Sequence, residues 1–468
     1  MRQVWHIFKK DARYLWREIV FIAALAVVFA WTNPWWLAAL LLAAASYLIA
    51  RLIHAEAIPG DRQFWITRPY HWMSLLCAKL LFIFVFVNLP ILLAQLRIVS
   101  AAGFPMSSWV PGLLWSQVLM ILVGLLPIAV LGAITAGIIP FIFSMLILVT
   151  IWFIMEMPIW LSVNIRQPLW PDAIEWIRET VVVAALAAVL LAILYVQYRK
   201  RRTFLSRAAA IAGAALAAIS YWYLPWAPAW GLQSRLSKQV IESSALRVSL
   251  DPKTIRFVPR KAQTWENVEV YLPMTLTGIP DSLDVRTDAI AITLVALDGR
   301  AWKTGLGGAM RRSSALGAAR LEATASVDLT YFNTEREKPV TLRGSIYFTL
   351  FGNRRWKTIP LTHQPVNALE GLQCYLGAFE QFFCRSAFRW PARLVYAKFG
   401  ADTSPLTESI SYSPFPSGLH LDPIETRWAP SLPRSAREVT LEVEEPLAHV
   451  RREFEASGVR LTGSAATE

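Results

Sequence analysis

Few residues of this 468-residue chain have a type and spacing that could do chemistry. Glu156 places a carboxylate within the apolar run Met155-Glu156-Met157-Pro158. An ionisable group inside a membrane span marks an ion or substrate path by default. A carboxylate near the outer interface, late in a long span, accounts for it more simply. Asn88, Gln95 and Gln117 are neutral amides in other apolar runs, suited to hydrogen bonds between helices. Cys374 and Cys384 can close an 11-residue loop as a disulfide if they lie in an oxidising compartment, whereas Cys77 reads as a small apolar residue. His363, His420 and His449 stand apart with no ligand spacing, so no metal is expected. There is no G-x-S-x-G, H-E-x-x-H or GxxxxGK[ST] string, and Gly299-Arg300-Ala301-Trp302-Lys303-Thr304 lacks the second glycine before its lysine. Hydrolase chemistry finds no support, and no cofactor is expected on this chain.

The elements that must position these groups are mostly apolar helices. The chain is 55% hydrophobic and 17% charged, against about 25% charged in ordinary soluble domains. The first 230 residues hold only 17 of the 46 Lys+Arg and 8 of the 33 Asp+Glu. The net charge of +13 is therefore concentrated in an apolar half, and the other half shows no basic stripe with interleaved aromatics. No nucleic-acid partner is expected. Residues 1–17 alternate apolar and basic positions at steps of three or four, as in an amphipathic helix lying in a membrane interface. Charges run throughout this segment, unlike a secretory signal. Apolar stretches able to cross a ~30 Å core follow at about 18–33, 35–53, 74–97, 112–133, 138–163, 177–197 and 207–225. The expected class is thus a multi-pass α-helical bundle of about seven spans. Pro90, Pro127, Pro140 and Pro158 predict kinks within it. Lys and Arg concentrate in 1–17, 51–79 and 199–207, against Arg97, Arg166 and Arg178 in the alternate connections. The positive-inside rule then makes the N-terminus cytoplasmic and the C-terminal half external. The expected location is the bacterial inner membrane.

The loop after the second span differs from a plain connection. It runs Glu56-Ala57-Ile58-Pro59-Gly60-Asp61-Arg62-Gln63-Phe64-Trp65-Ile66-Thr67-Arg68-Pro69-Tyr70 and leads into Leu75-Leu76-Cys77-Ala78-Lys79-Leu80-Leu81. Mixed charges beside an aromatic pair suit a short surface helix that docks on a partner. Alternatively, Trp65 and Tyr70 are interfacial aromatics only. The stretch Asp61…Phe64-Trp65-Ile66-Thr67-Arg68-Pro69 resembles the permease subunits of ABC-2-type transporters, over roughly the first 200 residues. The resemblance implies an interfacial helix at 1–17 and a six-span bundle at 18–206. It also implies a coupling loop in which Glu56, Asp61, Arg62, Phe64, Trp65, Thr67, Arg68 and Pro69 meet a separate ATPase that binds the ATP. A second permease subunit, identical or not, and membrane lipid are the other implied partners. The seventh span and linker at 207–230, and everything after them, depart from the simplest members of that family.

From Leu246 onward the period changes to two. Val268, Val270 and Leu272 alternate with polar residues, as do Ala323, Ala325 and Val327; Val340, Leu342, Ile346 and Phe348; and Val439, Leu441 and Val443. One apolar face per strand predicts antiparallel sheets packed as an immunoglobulin-like sandwich over 231–468, as one unit or as two at 240–365 and 366–468. Two functions remain open on this reading. One is an exporter permease. The other is an envelope protein whose spans merely anchor an external domain that binds a partner or glycan.

Overall fold

The computed structural model describes residues 1–55, 71–161, 172–223, 226–238, 246–262, 265–280, 282–303, 314–315, 318–369, 371–377, 381–388, 394–399, 402–405, 407–408, 421–429 and 437–461, with the side chains of 151–161 and of several further stretches, among them 221–223, 259–267, 314–322 and 402–408, left aside. An N-terminal helical part precedes a C-terminal β-rich part. Helix α1 (Arg2–Tyr14) meets α2 (Trp16–Thr32) at a bend of 77°. Asn33, in the left-handed conformation that asparagine tolerates at a helix end, closes α2 before Pro34 starts α3 (Trp35–His54). The next two runs are continuous, Trp72–Ala101 and Met106–Ile134. They are followed by α8 (Ile138–Leu161), α9 (Asp172–Lys200), α10 (Thr203–Tyr223) and the short α11 (Trp226–Arg235). Among the described residues, five helices are long and apolar enough to cross a membrane, or six if the bent pair α1–α2 counts as one.

Beside two of the prolines expected to kink helices, the helix carries a π-helical segment. The run Trp72–Ala101 consists of α4 (Trp72–Ile83), a π-helical segment Phe84–Asn88 and α5 (Leu89–Ala101), with Pro90 just after the wide turn. Likewise α6 (Met106–Leu119) passes through a π-helical segment Met120–Leu125 into α7 (Leu126–Ile134), with Pro127 just after it. A proline has no N–H and its ring clashes with the carbonyl four residues back. Here those carbonyls belong to Phe86 and Val123, and the wider turn relieves both clashes.

Among the described residues the β part forms three antiparallel sheets. Strands β1 (Arg247–Leu250), β2 (Arg256–Ala262), β3 (Trp265–Thr277), β6 (Ser314–Ala315) and β7 (Ala318–Asp328) form one. A six-stranded sheet runs β13-β12-β16-β8-β4-β5, built from β4 (Asp284–Val295), β5 (Ala301–Lys303), β8 (Pro339–Pro360), β12 (Leu394–Phe399), β13 (Asp402–Pro405) and β16 (Glu438–Arg460). The third is β14-β15-β11-β10-β9, from β9 (Val366–Asn367), β10 (Leu372–Leu376), β11 (Phe382–Ala387), β14 (Thr407–Glu408) and β15 (Ile424–Ala429). The long β8 and β16 pair along almost their whole length and serve two cores. One end packs with Val268, Val270 and Val327, while Val439, Leu441 and Val443 pack with Leu372 and Phe382. The apolar positions of the period-two runs fill these cores. The six-stranded sheet is bulged where they meet, between Val443 and Ala448. Cys374 and Cys384 face each other across β10 and β11 and are joined as a disulfide.

The β part rests on the helices at two places. At the first, Gln373 Nε2 donates to Ala102 O (2.8 Å), and Phe388 lies so near Gly112 that a Cβ there would be 2.7 Å from its own Cβ. At the second, Trp230 of α11 packs edge-on against Tyr347 and His449, with ring centroids 5.2 and 5.8 Å apart. This second seam buries Tyr347 and Thr349, which the alternation of β8 assigns to its polar face.

Candidate functional site: the junction at the N-terminal end of the bundle

The loop expected to carry function leaves α3 after His54 and re-enters the bundle at His71, whose ring Nδ1 caps α4 by accepting from Met73 N–H (3.4 Å). Glu56, Asp61, Arg62, Phe64, Trp65, Thr67, Arg68 and Pro69 lie outside the described residues. Both roots of the loop are described, and they are bound to the rest of the molecule by polar contacts.

The central contact is an ion pair. Lys79 Nζ, in the second turn of α4, donates to Asp11 Oδ2 of α1 at 2.8 Å and to the backbone carbonyl of Leu52, near the end of α3, at 3.0 Å. The two side chains are 2% and 1% exposed. Charges this deep are expensive unless paired, so α1, α3 and α4 are held in one arrangement by a single ammonium group. The amphipathic pattern of α1 explains how Asp11 gets there. Ile7, Phe8 and Asp11 lie on its buried face, while Lys9, Lys10 and Arg13 are left to the outside or the edge. Phe8 also stacks against Phe86 and meets Phe82 of the same span edge-on, with centroids 5.4 and 6.2 Å apart.

Further contacts tie the other helix ends to this junction. His54 Nε2 lies 3.2 Å from both the carbonyl and the hydroxyl of Thr135, just past α7. Arg207, near the start of α10, donates from Nε to Ile134 O (2.9 Å). Arg51 pairs with Glu18 (3.5 Å) and sits over the Tyr14 ring (5.7 Å). Trp72, at the root of the loop, meets Tyr195 of α9 edge-on at 5.5 Å, and Arg199 bonds the Tyr195 hydroxyl. One end of the bundle thus gathers α1, both loop roots and the basic ends of α9 and α10. The β part lies against the opposite helix ends.

The remaining sequence candidates are dispersed. Glu156 belongs to α8, but its side chain is outside the description. The Cys374–Cys384 disulfide lies in the β part, near the first seam. Among the described residues, one group has the ligand types of a metal site: Asp284, Glu442 and Glu444, all buried, with ligand atoms within 4.8 Å of one another. Arg354 already bridges the three (2.5, 2.5 and 2.9 Å) and Lys398 pairs with Glu442, so built-in cations supply the charge a metal would. The arrangement works as an ion network stapling the bulge between the two β cores. The sequence reasoning missed the Asp11–Lys79 pair. Its signal is a lone carboxylate in a basic helix and a lone lysine in an apolar span, at the edge of the basic stretch 51–79. No known family model matches the chain, and no curated protein matches it in sequence.

Proposed function

We propose that this chain is the membrane-spanning permease subunit of an ATP-driven, ABC-2-type exporter, with the ATPase on a separate chain and a second permease subunit completing the pore. The observation that carries this reading is the Asp11–Lys79–Leu52 contact. It fixes both roots of the 56–70 loop to one amphipathic helix. A motor pushing on such a loop would move α1, α3 and α4 together, and packed helices respond to such pushes by switching between discrete arrangements. In this reading the bundle crosses the inner membrane seven times, counting α2 and α8 beside the five long apolar helices, and the gathered basic helix ends face the cytoplasm. Phe64 and Trp65 anchor the ATPase while Asp61, Arg62 and Arg68 set its register. The immunoglobulin-like β part then lies outside, seated on the outer helix ends.

The test is co-purification of the chain with an ATPase subunit and measurement of ATP hydrolysis. Trp65→Ala and Arg68→Ala should uncouple hydrolysis from the permease. A complex with no nucleotide-binding chain, or full activity of residues 231–468 expressed alone, would favour the membrane-anchored envelope protein instead.

A further inference from the structure

The two spans with π-helical segments also carry buried amides. Asn88 is the last residue of the first segment. Gln95 lies seven residues on, two turns along the same face and roughly 10 Å nearer the β part. Gln117 precedes the second segment by one turn. Gln117 Nε2 donates to Gln95 Oε1 (2.7 Å), and Gln95 Nε2 donates to Leu421 O of the β part (3.1 Å). Leu421 is itself buried in the bundle core, so the β part covers this file of amides from its own side.

Two acceptors are left over. Asn88 Oδ1 and Gln117 Oε1 have no hydrogen-bond partner among the described residues, although Asn88 is 1% and Gln117 7% exposed. Between helices an unmet amide oxygen is a net cost that leucine would avoid. Around the file the buried residues of these spans are apolar, including Val87, Ile91, Ala94, Leu113 and Met120. A ligand that satisfies this surface must donate hydrogen bonds, must carry no charge at its head, and must be apolar elsewhere.

We propose that Asn88, Gln95 and Gln117 form the polar part of a site for an uncharged, hydroxyl-bearing amphiphile, covered on the β side by Leu421. This gives the permease reading a substrate class and rests on it for the word substrate. The binding itself needs no ATPase, so the two can fail separately.

The test uses the full chain in phosphatidylcholine nanodiscs with a photoreactive monoglucosyl diacylglycerol, read by peptide mass spectrometry. Labelling should fall within residues 84–125. Unlabelled glucosyl lipid should compete for it about tenfold better than phosphatidylglycerol, the margin expected for one or two hydrogen bonds to a neutral head. The double variant Asn88→Leu/Gln117→Leu should lose most of the labelling; because Gln117→Leu also removes the donor to Gln95 Oε1, stability is read on Asn88→Leu alone, whose melting temperature should hold or rise. Labelling spread evenly over the exposed helix α10, equal competition by the two lipids, or unchanged labelling in the double variant would each overturn the proposal. So would an Asn88→Leu variant that melts lower, because the amide would then be structural.

Discussion

Lys79 Nζ reaches Asp11 Oδ2 at 2.8 Å, joining a helix at the chain's start to a span on the far side of the 56–70 loop. Removing one partner strands the other charge in an apolar interior, at a cost of about 3–5 kcal/mol, whereas replacing both by apolar residues of similar size is close to neutral. Asp11→Leu and Lys79→Met should therefore each lower the melting temperature of the chain in nanodiscs, and the double variant should recover most of the loss. Additive losses in the double variant would show that the two side chains do not form a pair.

The first seam depends on the absence of a side chain at Gly112. A Cβ there would lie 2.7 Å from Phe388 Cβ, so Gly112→Val should separate the β part from α6 or force a shift costing about 1–3 kcal/mol. Phe388→Gly in the same chain, which removes that Cβ at a position of positive φ, should relieve it. Limited proteolysis of the β part and a melting curve measure both.

Acid should loosen the second seam. The Thr349 hydroxyl donates to Asp288 Oδ2 (2.6 Å) and so accepts from His449 Nδ1–H (2.9 Å), which leaves Nε2 to accept from Gln233 Nε2 (2.8 Å). Burial, with help from Arg286 nearby, pushes the His449 pKa down from 6.5 to about 4. The unfolded chain therefore binds this proton more readily than the folded one. His449 adds nothing unfavourable above about pH 6.5, and stability falls as the pH drops from there towards 4, by at most about 1.4 kcal/mol per pH unit. Below pH 4 the loss stops growing. His449→Gln should flatten that part of the stability–pH curve, and an unchanged slope would assign it to other groups.

The disulfide should matter modestly. Closing a loop whose ends are ten residues apart stabilises by about 2–3 kcal/mol in the chain-entropy account. Cys374→Ser with Cys384→Ser should lower the melting temperature of the β part and leave the helical transition in place.

How much of this was legible beforehand follows from periodicity. The apolar runs and the basic helix ends locate the helical part, and the alternation at Val268–Leu272 or Val439–Val443 locates strands, because burial on one face imposes that period. Long-range facts were hidden. Nothing local says that β16 returns to pair with β8 along its length, or that α11 covers Tyr347 and Thr349 on the face the alternation assigned to water. The prolines predict kinks, but the π-helical turns before Pro90 and Pro127 depend on the helix taking in an extra residue, which no local pattern announces. Asp11 looked like one more charge on a polar helix and Lys79 like a loop residue. Only the folded chain shows that each is the other's partner.

The most direct measurement is site-specific cross-linking from the loop. In a chain carrying Cys77→Ala, a cysteine placed at Trp65 or Arg68 is reacted with a short bifunctional reagent in membranes containing the co-expressed ATPase. One cross-linked species with the ATPase subunit is expected, its yield changed by ATP, and modification only by reagents that reach the cytoplasmic side. Modification by an impermeant reagent from the external side of intact cells, with no ATPase cross-link, would contradict it.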